Sequence, residues 1–217
     1  LEPRTFTVYY RDQDYLPDSK HRYLDDQDRD LKLNGVQHRQ YTDLKYLEKV
    51  IDKGLDEFES LFGFKSTFFI PTNGPFNNNL EEMLSKKGVK YIGTGKIQHE
   101  PLGEGKYKKH FRYLGKKNRL GQMYLTRNCF FEPNSEEFPK ERDWVASCLK
   151  EIEIAFNCHK PATISSHRVN YMGTINPENR AEGLKKLDQL LGAIIKKWPD
   201  VEFITSMELG DIINGNS

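Results

Sequence analysis

A chain of 217 residues with a formal net charge of +1 is too nearly neutral to demand nucleic acid or an anionic membrane as partner. Its 36% hydrophobic and 12% aromatic residues exclude wholesale disorder; its three cysteines, with no Cys-x-x-Cys pair, exclude a disulfide framework and a cysteine zinc cage. No apolar run reaches the roughly 18–20 residues that a membrane-spanning helix needs, and no signal peptide opens the chain. The length suits one domain, 1–217. A start at Leu1 rather than Met is expected of a processed or partial protein, which leaves localisation open.

Residues 5–10 (Thr-Phe-Thr-Val-Tyr-Tyr) read as a strand ending in Arg11-Asp12-Gln13-Asp14. Residues 18–32 are charged, with a weak helical or loop signal, and 33–38 form a short strand. In 43–62, Leu44, Leu47, Ile51, Leu55, Phe58 and Phe62 occupy one face of a helix. Thr42 or Asp43 caps that helix and Gly63 closes it. A buried strand at 66–70 stops at Pro71, a short helix follows at 79–87, and 89–92 is a strand. The stretch 93–121 is either a β excursion or a functional loop, and its Lys106, Lys108, Lys109, Lys116, Lys117 and Arg119 read as a solvated loop.

Residues 122–126 form a strand and 143–156 a helix with Cys148 in the core. Residues 161–166 read as a buried strand. The helix at 177–198 has Asn176 as N-cap and a face of Leu184, Leu187, Leu191, Ile194 and Trp198. A last strand at 201–205 and a helix at 207–213 close the chain. Alternating strands and helices imply parallel strands with right-handed crossovers. The expected fold is α/β: an incomplete or distorted (β/α) barrel of about six or seven mostly parallel strands.

Chemistry in such folds gathers where strands end. The strand-end residues are Asp12 and Asp14, then His38, Thr72 and Asn73, Arg127 and Asn128, His167 and Arg168, and finally Ser206 and Glu208. The densest group is Ser165, Ser166, His167, Arg168, Asn170 and Tyr171. Carboxylates and histidines on one rim suit a divalent metal and acid–base hydrolysis. Asp12 and Asp14 read equally as turn residues, His38 as a surface histidine, and Arg127 as the partner of a carboxylate such as Glu132. Ser166 beside His167 is no dyad, because neighbours on a strand point to opposite faces. No Gly-x-Ser-x-Gly, Walker or Gly-x-Gly-x-x-Gly motif follows a strand.

The segments Phe-Lys-Ser-Thr-Phe-Phe-Ile-Pro (64–71), Gly-Val-Lys-Tyr-Ile-Gly (88–93), Ile-Ser-Ser-His (164–167) and Trp-Pro-Asp-Val-Glu-Phe (198–203) carry a resemblance in pattern and order. From Tyr41 onward the chain resembles the polysaccharide deacetylases, carbohydrate esterases on a distorted β/α barrel. The resemblance implies His167 as the general acid that protonates the leaving amine. It implies Asp12 as base, Asp14 and His38 as ligands of zinc or a similar divalent metal, and Asn73, Arg127, Arg168 and Tyr171 as substrate-binding residues. A carbohydrate is the implied ligand.

The chain departs from the family's His-x-x-x-His, which is Asn34-Gly-Val-Gln-His38 here, and from its Arg-x-Pro, which is Phe69-Ile70-Pro71. The distance from Asp14 to His38 is short for a β/α unit, so either a piece is missing or the aspartates are misassigned. Three functions compete: a metal-dependent N-deacetylase, a catalytically inactive carbohydrate-binding or scaffold domain, and a metal-free glycosidase using Asp14 and Glu208.

Overall fold

In the computed structural model, residues 44–71, 74–103, 106–135, 142–174 and 176–215 are described. The expected strands at 5–10 and 33–38, the segment 18–32 and the caps Thr42 and Asp43 lie outside them. The protein is mixed α/β, with parallel strands in small sheets. It divides into two compact units. One holds the described residues up to Thr126 together with the segment from Thr205; the other is Arg127–Ile204.

The first unit begins with helix α1 (Leu44–Phe62), which buries Ile51, Leu55 and Phe58 on the face set by their spacing. Gly63, at φ 77°, ends it and donates its N–H to Glu59 O at 2.8 Å. There follow β1 (Phe68–Phe69), a 3-10 turn (Asn78–Leu80), α2 (Glu81–Lys86), β2 (Tyr91–Thr94), β3 (Ile97–Gly103), β4 (Lys106–Phe111) and β5 (Met123–Thr126). Strands β1, β2 and β5 form a parallel sheet in that order, with Phe68 against Tyr91 and Tyr91 against Met123.

Alternation then sorts the side chains. Phe69, Ile92 and Tyr124 join Ile51, Leu55, Leu80 and Leu84 on one face. Phe68, Tyr91, Met123 and Leu125 pack with Met207 on the other. A parallel sheet buried on both faces is the usual α/β solution. The last helix of this unit starts at a capping box: Thr205 Oγ1 accepts from Glu208 N at 3.0 Å, and Glu208 Oε2 accepts from Thr205 N at 2.7 Å.

The second unit pairs β6 (Cys129–Phe130) with β7 (Ile164–Ser165) in parallel. Helices α3 (Trp144–Asn157) and α4 (Pro177–Lys197) cover it. Its core is Cys129, Phe131, Trp144, Cys148, Ile152, Leu190 and Ile194. The helix that closes the first unit, α5 (Ser206–Asn214), follows α4 in the chain.

Five expectations change. The strand at 66–70 shrinks to Phe68–Phe69: Pro71 has no N–H to extend a ladder, and Ser66 Oγ donates to Phe68 O at 2.7 Å. The strand at 89–92 moves to Tyr91–Thr94, because Val89 N–H returns to Leu84 O at 3.0 Å and belongs to the end of α2. The strand at 161–166 shrinks to Ile164–Ser165, of which only Ser165 is buried. Residues 201–205 form no strand: Val201 N–H bonds Trp198 O at 3.0 Å after α4, and Thr205 opens the next helix. On α4 the buried line is Gly183, Leu190 and Ile194, and Leu184 is exposed. The stretch 93–121 is the β excursion: β3 and β4 form an antiparallel hairpin.

Candidate functional site

In the second unit, Phe130 pairs with Ser165 in register, and Phe131 N–H bonds Ser165 O at 2.9 Å. Both strands run the same way, so the residues just past their ends are neighbours. Glu132 and His167 each stand two positions beyond that pair. This is the C-terminal edge of a parallel ladder, where α/β proteins place chemistry.

His167 Nδ1 lies 2.6 Å from Glu132 Oε1. A carboxylate only accepts, so Nδ1 carries the proton of that bond and Nε2 is left for other partners. The Glu132 side chain is 12% exposed and that of His167 68%. A buried carboxylate thus orients an imidazole whose working nitrogen faces water. Such a ring can relay a proton through Nε2.

Glu132 is itself held. Its Oε2 accepts from Asn170 Nδ2 at 2.7 Å and from His167 N at 3.3 Å. Asn170 is fully buried, donates also to His167 O at 2.8 Å, and accepts from Asn134 N at 3.0 Å. Asn134 Nδ2 reaches Asn170 O at 3.2 Å and Asn179 O at 2.7 Å, tying the cluster to the first turn of α4. Gly183 permits this approach: a Cβ there would stand 1.8 Å from Asn170 O.

The other expected residues of this unit have definite places. Arg127 Nη1 donates to Ser165 Oγ at 2.9 Å, and Glu132, its expected carboxylate partner, is near enough to act on it by charge. Burial holds its guanidinium below the ordinary range, and the charge of Glu132 partly offsets that. Ser166 Oγ and Tyr171 Oη share a bond of 2.6 Å, which takes Ser166 away from His167. Burial raises the Tyr171 phenol, against the bond from Ser166, which lowers it. Arg168 is exposed beside His167. Asp12, Asp14, His38 and Asn73 lie outside the described residues. In the first unit, Glu208 is exposed, and its Oε2 accepts from Thr205 N in the capping box of α5.

Glu132 is the residue whose place in this cluster reading the sequence missed, whereas Asn170 already stood in the densest polar group and proves to be the anchor of Glu132. The signal was present but faint. Residues 127–129 read as the tail of the preceding strand, whereas Cys129–Phe130 is a strand in its own right. Placing a strand there puts Glu132 at its end.

Among the described residues, no three His, Cys, Asp or Glu side chains gather as a metal ion would require, and Glu132 engages one of the two ring nitrogens of His167. The described residues alone therefore do not make a metal centre. Compared with protein-family models and with curated proteins, the sequence finds no match in either. Among the described residues no helix is long and apolar enough to cross a membrane.

Proposed function

We propose that this chain is a carbohydrate-active hydrolase of the polysaccharide-deacetylase kind, on an incomplete β/α barrel, which removes acetyl groups from N-acetylated sugars. The observation that supports the reading is the His167–Glu132 pair: an exposed imidazole held by a buried carboxylate at the end of a parallel strand. In this role Nε2 of the imidazolium gives its proton to the leaving amine. Glu132 fixes the direction of the ring through its bond to Nδ1. Arg168 faces the substrate. Arg127 and Tyr171 steady the strand ends through Ser165 and Ser166.

Asp12 is the base in this reading. Asp14 and His38 are the residues that would hold a divalent cation such as zinc, which they suit as carboxylate and imidazole donors. When bound, such an ion supplies a more acidic water. Asn73 belongs to the substrate-binding set.

The test is release of acetate from N-acetylglucosamine oligomers by the intact chain and by His167→Ala. Loss of turnover in the variant, at an unchanged melting temperature, supports the reading. Unchanged turnover sinks it. A second reading, an inactive carbohydrate-binding domain, draws support from Asn34 standing where the family's first metal histidine belongs. Protein that carries no metal, releases no acetate and still binds the oligomers would establish that reading instead.

A further inference from the structure

The β3–β4 hairpin wears its polarity inside out. In register, Gln98 pairs with His110 and Glu100 with Lys108, while Ile97 pairs with Phe111 and His99 with Lys109. Successive side chains alternate across a strand, so these two sets lie on opposite faces. Of the first set, Gln98, Glu100 and His110 turn toward the body of the unit, and Lys108 is exposed. Gln98 is 2% exposed and donates to Phe76 O at 2.8 Å and Asn78 Oδ1 at 2.7 Å. Arg112, just past β4, donates from Nε to Gln98 Oε1 at 2.8 Å and lies 4.0 Å over the buried ring of Tyr124. His110 Nε2 meets Glu100 Oε2 at 2.7 Å.

The second set faces water. Phe111 is 73% exposed and Ile97 48%, and His99 and Lys109 between them are exposed. An antiparallel hairpin with one wet face ordinarily turns its apolar residues in and its polar ones out. Sliding one strand by a single residue would swap the faces, and the bonds of Gln98 and Arg112 oppose that slip. The aromatic face is therefore held in water by specific bonds on the other side. Ile97 and Phe111 are paired across the hairpin, so their exposed side chains adjoin.

The chemistry of that face selects its occupant. Tyr113, two residues past Phe111, is 64% exposed, with Lys116 Nζ 5.4 Å from its ring centroid. The outward row (Ile97, His99, Lys109, Phe111, Tyr113) contains no carboxylate. Lys109 has no ion-pair partner among the described residues. Flat rings interleaved with cations fit a ligand with apolar ring faces and negative substituents.

We propose that the outward face of the β3–β4 hairpin docks an acidic polysaccharide, with Phe111 and Tyr113 against sugar ring faces and Lys109 meeting a uronate or sulfate group. This rests on the carbohydrate reading above and adds the charge class of the polymer.

The test is calorimetric titration of the intact protein with a uronate oligosaccharide, a sulfated one and a neutral one of equal length, at low and high salt. The expected result is binding of one or both acidic oligomers, weakened by salt and weakened about tenfold or more by Phe111→Ala or Lys109→Ala. Lys90→Ala, an exposed lysine after α2, serves as the control and should leave binding unchanged. The proposal is overturned by failure of both acidic oligomers to bind, or by binding indifferent to Phe111→Ala and Lys109→Ala. Tighter binding to polyuridylate or to anionic lipid vesicles would also overturn it, in favour of a nucleic acid or a membrane. Acidic-oligomer binding that persists in a protein releasing no acetate separates the two readings: docking stands and hydrolysis fails. Acetate release without acidic-oligomer binding gives the reverse.

Discussion

Glu132 and His167 meet at 2.6 Å because each lies two residues past the in-register pair Phe130 and Ser165. In the proposed reaction the carboxylate would act through its charge as well as its shape. Glu132→Gln keeps an acceptor for Asn170 or His167 and removes that charge. Turnover on an N-acetylated oligomer should fall by about tenfold or more, while His167→Ala should lose most of the 10²–10⁴-fold that a general acid contributes. A pH–rate profile that keeps its shape in Glu132→Gln would show that the carboxylate does not act through the histidine.

Gly183 is the point at which α4 closes on the site. A methyl group there would stand 1.8 Å from Asn170 O and 2.8 Å from its carbonyl carbon, both backbone atoms. The helix or the 3-10 turn at Arg168–Tyr171 must shift to admit it. Gly183→Ala should cost about 1–3 kcal/mol of stability, as overpacking does, despite alanine's better helix propensity. It should also reduce turnover through Asn170 and Glu132. Gly192→Ala, on the same helix with open space around it, is the comparison and should be neutral or mildly stabilising. Denaturant melts of the two variants decide the matter.

Much of this architecture was legible in the residues. The helices over 44–62, 144–157 and 177–197 follow from apolar spacing and, for the last, from the cap Asn176; the N-cap role of Asp143 emerges from the structure. The bounds of the short strands were not, and Cys129–Phe130 does not read as a strand of its own. Phe68–Phe69, Cys129–Phe130 and Ile164–Ser165 are two residues each, too brief for alternation to register, and are defined by pairing across the chain. The same limit hid half of the candidate site. His167 stands out because polar groups crowd around it, whereas Glu132 becomes meaningful only when Phe130 is seen beside Ser165. The hairpin's reversed faces were equally hidden: alternation of polar and apolar residues does not reveal which face turns inward, and here buried hydrogen bonds to Gln98 and Arg112 determine it.

Arg112 anchors that reversal. Its side chain is 9% exposed, donates to Gln98 and Asn78, and stands 4.0 Å from the equally buried Glu81, which also accepts from Tyr124 Oη. Arg112→Ala would leave Glu81 without its cation and Gln98 Oε1 without its donor. The expected loss is about 3 kcal/mol, as for a buried pair broken on one side. Arg112→Met restores the volume but not the charge and should recover only part of it. Equal stability of Arg112→Ala and the unaltered protein would show that the network does not hold the hairpin.

The three cysteines should separate by reactivity. Cys158 is exposed, whereas Cys129 and Cys148 are buried without a disulfide. Burial pushes the Cys148 thiol from its ordinary value near 9 up to about 12, with the neighbouring Cys129 and Glu151 adding to the effect and Arg142 opposing it. A thiolate is the reactive form, so a disulfide reagent at neutral pH should titrate one thiol quickly and the other two only on unfolding. The same shift has a consequence for stability. Above the ordinary thiol value the unfolded chain releases a proton that folded Cys148 retains, so the native state becomes progressively less stable as pH rises from about 9 toward 12. Tyr91, raised to about 12 chiefly by burial and then by its bond to Asp211, acts in the same direction above its ordinary value near 10. Cys148→Ala should flatten the first part of that alkaline decline and leave the part due to the buried tyrosines Tyr91, Tyr124 and Tyr171, which denaturant melts at stepped pH would resolve.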